Sequence, residues 1–307
     1  MRVVMVGAGG VGGYFGGRLA QAGEDVIFIA RGEHLKAMQT SGLRVDSFLG
    51  NFVIYPVQAT DDPSRVGPVD MVLLAVKAWQ VPEVAPALRP MIGKETGVAY
   101  LGNGVEAPEQ LSHVLGAGPV LGGLTRISAA IAGPGHIAHL GIEPFIAFGE
   151  LDGHPSTRVE RLRQSFERAQ VKVNVPADIQ TALWEKFIFI AAISGVGAVT
   201  RLPAGVFRAV PESRQLLEAA ITEVAAVARK RKISLPEDIL QRTLAVIDGL
   251  APSVTASMQR DIMEGRPSEL GAQNGAVVRM GLEAGVPTPV NAFIYASLLP
   301  QELKARG

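Results

Sequence analysis

No cysteine occurs anywhere in the chain, which excludes disulfides, thiolate nucleophiles and cysteine-ligated zinc together. That absence is compatible with a reducing compartment. Net charge is missing too: 29 lysines and arginines balance 29 aspartates and glutamates, so no long-range field is available to hold nucleic acid or an acidic membrane. Small molecules are the expected partners. No serine stands in a G-x-S-x-G elbow, which leaves a hydrolase triad without its nucleophile signature. No internal repeat or low-complexity tract occurs. The fourteen uncharged residues 187–200 that follow Lys186 fall short of the roughly 20 needed to span a bilayer and suit a buried core helix instead. The opening "MRVVMVGAGG" has too short an apolar core for a signal peptide and reads as a first strand. A soluble, cytoplasmic protein is expected.

What is present is a hydrophobic share of 48% with 35 glycines, a composition typical of metabolic α/β enzymes. A length of 307 residues suits two domains. In the first half, short β-branched runs alternate with helical patterns: "RVVMVG", "GYFGGRLAQAG", "DVIFIAR", "DMVLLAVK", "GVAYLGNG". Apolar strands bounded by glycine and separated by helices predict an α/β Rossmann-type domain with a doubly wound parallel sheet. Between about 118 and 150, "GPVLGGLTRISAAIAGPGHIAHL" and "EPFIAFGEL" read as strands joined by Gly/Pro turns, added antiparallel at the sheet edge. A helix near 155–169 and the short strand "VKVNV" close this domain. After "VPADI" the pattern turns helical, with Asp178 as an N-cap and prolines punctuating the helices, so the expected domains are 1–177 and 178–307, the second all-helical. The basic run 229–232, "RKRK", ends a predicted helix, where cations complement the dipole.

"VGAGGVGGYFGGRLA" places Gly7-x-Gly9-x-x-Gly12 directly after a strand and at the start of a helix. Gly7 permits the tight turn, Gly9 lets backbone amides approach a pyrophosphate, and Gly12 lets helix and strand pack closely. Gly7, Ala8, Gly9, Gly10, Val11 and Gly12 are therefore the candidate dinucleotide cradle. An NAD site usually carries an acidic residue at the end of the second strand; here "VIFIAR" ends in Arg31, while Glu24 and Asp25 stand at the other end. A guanidinium there suits the 2′-phosphate of NADP. Lys77, just past "DMVLLAV", lies where ligands of open α/β sheets gather and is a second candidate cation.

Lys186 opens an apolar run, and two readings fit it: a snorkelling lysine whose stem covers a core helix, or a positioned proton donor. Five histidines all precede residue 155, and His136 and His139 in "HIAH" point to opposite faces of a strand, so no metal site is expected.

"GAGGVGGYFGGRLA", the "AR" ending strand two, "VKAWQ", "GNG", "WEKF" and "SMQRDI" followed by "SELGAQNG" together resemble the ketopantoate reductase family along essentially the whole chain. The resemblance implies NADPH-dependent reduction of the ketone of 2-dehydropantoate. It implies Lys186 as general acid and Glu269 as the acidic residue that holds substrate and borders the cofactor. Asn103 of "GNG" takes the polar position near nicotinamide and substrate, and Ser257 the position of a substrate-binding hydroxyl. The chemistry suits these types: a hydride reaching a ketone carbon leaves charge on oxygen, and a donor beside it must give up a proton. Partial desolvation along an apolar helix would ease that loss for a lysine, whose reference pKa is about 10.4. Family members often place asparagines one and two helical turns beyond the lysine. Here those positions hold Ile190 and Ser194, which keeps Ser194 as a substrate-binding candidate but points toward a less polar 2-keto acid. A regulator that binds NADP without turnover is the alternative from another class. A helical second domain is also compatible with a homodimer.

Overall fold

A computed structural model describes residues 1–307, which divide by their contacts into two compact units. One comprises Met1–Gly102 and Ala107–Ile179; the other comprises Asn103–Glu106 and Gln180–Gly307. The short insert containing Asn103 thus groups with the helical unit, although the sequence reading placed it in the first domain.

The first unit is built on twelve strands: β1 (Arg2–Val6), β2 (Asp25–Ile29), β3 (Leu43–Ser47), β4 (Phe52–Ile54), β5 (Gln58–Thr60), β6 (Val69–Leu74), β7 (Ile92–Tyr100), β8 (Val120–Arg126), β9 (Ala129–Gly133), β10 (His136–His139), β11 (Phe145–Glu150) and β12 (Lys172–Asn174). Its helices are α1 (Gly10–Gln21), α2 (Gly32–Ser41), α3 (Val81–Val84), α4 (Ala107–Leu115) and α5 (Thr157–Arg168). Eight strands form the main sheet in the order β12-β11-β8-β7-β6-β1-β2-β5. From β5 to β8 all pairings are parallel, and β11 runs antiparallel to β8. The chain leaves β1 to one side for β2 and returns to its other side with β6. That reversal is the switch point where doubly wound sheets bind ligands at the carboxyl ends of their strands.

One expectation fails: β9 and β10 do not extend the main sheet. They form a second, four-stranded sheet, β4-β3-β10-β9, in which β10 runs parallel to β3. The cause lies in α1. On one side of this helix, Gly12 and Gly16 lie against the main sheet, where a Cβ on Gly16 would stand 2.5 Å from Phe28. On the other side, Gly10, Gly13 and Gly17 meet the second sheet, where a Cβ on Gly13 would stand 2.7 Å from Ile137 and one on Gly10 would stand 2.2 Å from the Ala129 carbonyl. A helix with glycine on two faces lets one layer approach on each side. Phe15, Phe148 and Phe166 fill the core around it, each wholly buried and each contributing on the order of 2–3 kcal/mol of apolar burial.

His139 joins the second sheet to α1. Its ring is buried, lies 4.4 Å from that of Tyr14, and takes part in 2.8 Å hydrogen bonds with the Ser47 hydroxyl at Nδ1 and the Ile142 carbonyl at Nε2. Burial disfavours the imidazolium and lowers the pKa of His139 from its ordinary 6.5, and the positive charge of Arg18 acts in the same direction, against the Ile142 carbonyl. The unfolded chain therefore binds a proton that the folded chain resists. Stability from this group is present above about pH 6.5 and declines as pH falls through that value toward the lowered folded pKa. Thermal melts from pH 7.5 to 5 should show a falling midpoint, and His139→Gln should flatten that slope while lowering the midpoint at pH 7.5. An unchanged slope in the variant would contradict the assignment.

The helical unit contains α6 (Ile179–Thr200), α7 (Ala204–Phe207), α8 (Pro211–Lys230), α9 (Ile239–Asp248), α10 (Ser257–Met263), α11 (Asn274–Ala284) and α12 (Pro289–Arg306). The α6 helix is apolar around its whole circumference, as expected of a helix surrounded by others. It is long and apolar enough to cross a bilayer, yet 67% of its most apolar window is buried inside the protein. Trp184, Phe187, Ile188 and Val196 from α6 pack with Leu217, Ile221 and Val224 of α8 and Ile294 and Leu298 of α12. A polar network is set into this core. Asn274 donates to the Ala191 carbonyl and to Asn291, and the Glu223 carboxylate accepts the Val290 and Asn291 amides at the start of α12. The carboxylate thereby satisfies amides that the helix leaves open and complements its dipole.

Candidate functional site

Three strand ends of the first unit converge on the glycine loop. Gly7 follows β1 with φ +92°, a left-handed conformation that favours glycine, and its amide donates to the Ile29 carbonyl at the end of β2. Its α-carbon faces Ala75 and Val76, the residues that follow β6. A Cβ on Gly12 would stand 1.9 Å from the Gly7 carbonyl oxygen, so α1 can begin here only with glycine at that position. A Cβ on Gly9, in contrast, would meet no protein atom within 4 Å. The loop is thus closed against the protein at Gly12 and open at Gly9. No carboxylate lies in the first turn of α1, and the helix N-terminus is left to favour an anion.

Arg31 is exposed, two residues past β2, where it caps α2. Glu24 and Asp25 lie at the opposite end of β2. Glu24 is buried in an ion pair with the Met1 ammonium and with Arg168; burial works against its ionisation, but those two cations outweigh it and lower its pKa. Lys77 is half-buried one residue after Val76, and its amide donates to the Gln80 side chain. Ala8 is buried, and Val11 is partly exposed at the start of α1. The sequence reading missed His34, whose Nε2 donates to the Ala8 carbonyl at 2.8 Å while its Nδ1 accepts from the Gly135 amide. This tautomer ties the glycine loop to the turn before β10. A single histidine in a polar helix gives no periodic signal by which it could have been found.

The candidate residues of the helical unit arise from four separate segments. Lys186, Ile190 and Ser194 occupy successive turns on one side of α6. Lys186 and Ile190 are half-buried, whereas Ser194 is wholly buried and its hydroxyl has no hydrogen-bond partner in the protein. Farther along the same side, Gly197 makes room for Gln259, whose Oε1 would stand 2.6 Å from a Cβ there. Gln259 donates to the Leu202 carbonyl and accepts from the Ala256 amide, which seats the start of α10 on α6. Ser257, half-buried, is the first residue of that helix. One turn on, Asp261 accepts two hydrogen bonds from Arg266, drawing in the chain that leads to Glu269. Glu269 is 4% exposed, and its Oε2 accepts from the Asn103 amide at 3.1 Å. Two candidates 166 residues apart in the chain are therefore in direct contact. No group of histidines, aspartates and glutamates is arranged to hold a metal ion.

A mainly parallel sheet with its glycine loop at the switch point and a helix N-terminus without a carboxylate define a dinucleotide-binding protein. The comparisons with known proteins narrow that class. Residues 3–153 match the family described as ketopantoate reductase PanE/ApbA, and residues 178–302 match its C-terminal domain. The chain belongs to the ketopantoate reductase family and is an NADP-dependent oxidoreductase. A 2-dehydropantoate 2-reductase of Archaeoglobus fulgidus is 32% identical over 94% of each chain. An uncharacterized oxidoreductase of Bacillus subtilis, YkpB, is 29% identical over 97% of this chain and 98% of its own length. The crystal structure of a PanE/ApbA family ketopantoate reductase from Ralstonia eutropha superposes with a TM-score of 0.90 at 32% identity, covering both chains completely.

Proposed function

We propose that this protein reduces 2-dehydropantoate to pantoate, a step toward pantothenate and coenzyme A, in the cytoplasm. NADPH, when bound, supplies the hydride. The loop Gly7–Gly12 would hold its pyrophosphate, and Arg31, with Lys77 as a second cation, its 2′-phosphate. As the keto carbon accepts the hydride and becomes tetrahedral, negative charge gathers on its oxygen, and Lys186 gives that oxygen a proton from Nζ. Glu269 accepts a hydrogen bond from the substrate hydroxyl, and Asn103, held against Glu269, orients the keto acid and borders the nicotinamide. Ser257 adds a hydroxyl at the first turn of α10, whereas the hydroxyl of Ser194 is wholly buried and closed to a substrate in this structure. The observation on which this reading rests is the 3.1 Å contact of Asn103 with Glu269, which joins an amide and a carboxylate in the unit that contains Lys186.

Ile190 favours a second reading within the same chemistry. An isoleucine one turn beyond Lys186 offers no donor or acceptor, which suits a 2-keto acid with an apolar side chain. NADPH oxidation measured with 2-dehydropantoate, trimethylpyruvate and phenylglyoxylate separates the two, because trimethylpyruvate differs from 2-dehydropantoate only in lacking the hydroxyl. A kcat/KM at least about tenfold higher for 2-dehydropantoate supports the first reading. A preference for either of the other acids overturns it in favour of the second.

Arg31 has its own test. Arg31→Ala should raise the KM for NADPH by about tenfold or more and change that for NADH by less than about twofold, since only NADPH carries the phosphate. Equal weakening of both would contradict the role given to Arg31.

A further inference from the structure

Glu302 is a buried carboxylate for which the proposed chemistry has no use. It lies on α12, is 4% exposed, and accepts the Ser268 amide at 3.1 and 3.0 Å and the Ser268 hydroxyl at 2.5 Å. Arg306, one turn farther along α12, donates to Glu302 at 2.7 Å and also to the Ser268 carbonyl at 3.0 Å. The Ser268 hydroxyl in turn accepts the Leu270 amide at 3.2 Å. The Ser268 carbonyl and the Leu270 amide belong to the two peptide groups that flank the α-carbon of Glu269. One network therefore holds both peptide planes, and with them the direction in which the Glu269 side chain leaves the backbone.

We infer that Glu302, Ser268 and Arg306 form a positioning clasp that aims the Glu269 carboxylate at the substrate; the inference rests on the reading of Glu269 as the substrate-holding acid. The physical case is preorganisation. Glu269 follows a seven-residue helix and a turn and precedes a single turn of 3-10 helix, so regular secondary structure does little to fix it. Outer groups that lock the geometry of a binding side chain affect binding about as strongly as a displacement of that side chain would. Arg306 is exposed, so only the carboxylate is taken out of water. Burying a carboxylate solely to anchor α12 brings little stability over apolar packing, and the cost of placing Glu302 here points to a geometric role.

The test uses Ser268→Ala and Glu302→Gln, each alone and each combined with Glu269→Gln, in the full-length enzyme with the keto acid of the panel that it turns over best. Ser268→Ala is the milder change and keeps the ion pair intact should Glu302→Gln fold poorly. Each single variant should raise KM for the keto acid by about tenfold and lower kcat by no more than about threefold. Glu269→Gln should raise KM at least as much. Each double variant should be no worse than Glu269→Gln alone, because the clasp acts only through that carboxylate. Losses that multiply in the double variants, or a wild-type KM in Ser268→Ala while Glu269→Gln is impaired, would overturn the clasp and leave the role of Glu269 standing. A wild-type KM in Glu269→Gln would overturn both.

Discussion

Replacing Lys186 by alanine should lower kcat by about two to four orders of magnitude, the range that a positioned general acid contributes, and leave the dissociation constant of NADPH within about twofold of wild type. The size follows from the reaction. Without a donor, the oxygen that gains the hydride's charge must take its proton from water. The structure places Lys186 half-buried two turns into α6, followed by fourteen helical residues that carry no charge. Lys186→Arg separates charge from proton transfer, because a guanidinium stays cationic but does not give up its proton. Its kcat should exceed that of the alanine variant through charge stabilisation alone and remain at least about tenfold below wild type. Steady-state NADPH oxidation measures both. Arginine restoring full turnover would show that charge suffices.

Two glycines of one loop should respond differently to the same added methyl group. In Gly12→Ala the new Cβ falls on the Gly7 carbonyl oxygen, and neither backbone segment can yield without separating α1 from β1. The melting midpoint should drop by about 4 °C or more, and NADPH affinity should fall by about a hundredfold, since the loop proposed to meet the pyrophosphate loses its shape. In Gly9→Ala the methyl group meets no protein atom, so the midpoint should move by less than about 2 °C. Its NADPH affinity should still fall by about tenfold or more, because the space it enters is the one proposed for the pyrophosphate. Thermal melts and cofactor fluorescence titrations give both quantities. A Gly9→Ala variant with wild-type affinity would place the dinucleotide elsewhere.

The Rossmann half was legible because each of its signals is local. A β-branched run ends in glycine, a helix pattern begins, and the spacing of Gly7, Gly9 and Gly12 requires one particular turn. The second sheet was not legible, and the reason is physical. β10 pairs with β3, about ninety residues earlier, and no hydropathy pattern on "HIAH" records which edge it will join. The information lay instead in Gly10, Gly13 and Gly17, a stripe that only helical spacing explains. Read as a dinucleotide fingerprint, "GGVGGYFGG" was understood on one face only. β3 is interrupted by Arg44 and Asp46, and β4, at the edge of the second sheet, is only three residues long, so both carry little strand signal.

The candidate site shows the same division. Lys186, Ile190 and Ser194 share a helix face by simple periodicity, so their alignment could be read directly. The contact of Asn103 with Glu269 could not, since it depends on a four-residue insert grouping with the helical unit. Nor could the involvement of Glu302 and Arg306, which in the sequence are a glutamate and an arginine at helical spacing near the end of α12, the pattern of an ordinary surface ion pair. The burial of Glu302 against Ser268 distinguishes the pair, and burial depends on tertiary packing.

The account depends most on proton donation by Lys186, and alkylamine rescue addresses it directly. Methylammonium added to the Lys186→Ala enzyme, saturated with NADPH and keto acid, should raise the single-turnover rate of NADPH oxidation in proportion to its concentration and leave the wild-type rate unchanged. A Lys186→Ala enzyme that oxidises NADPH at the wild-type single-turnover rate with no amine present would contradict it.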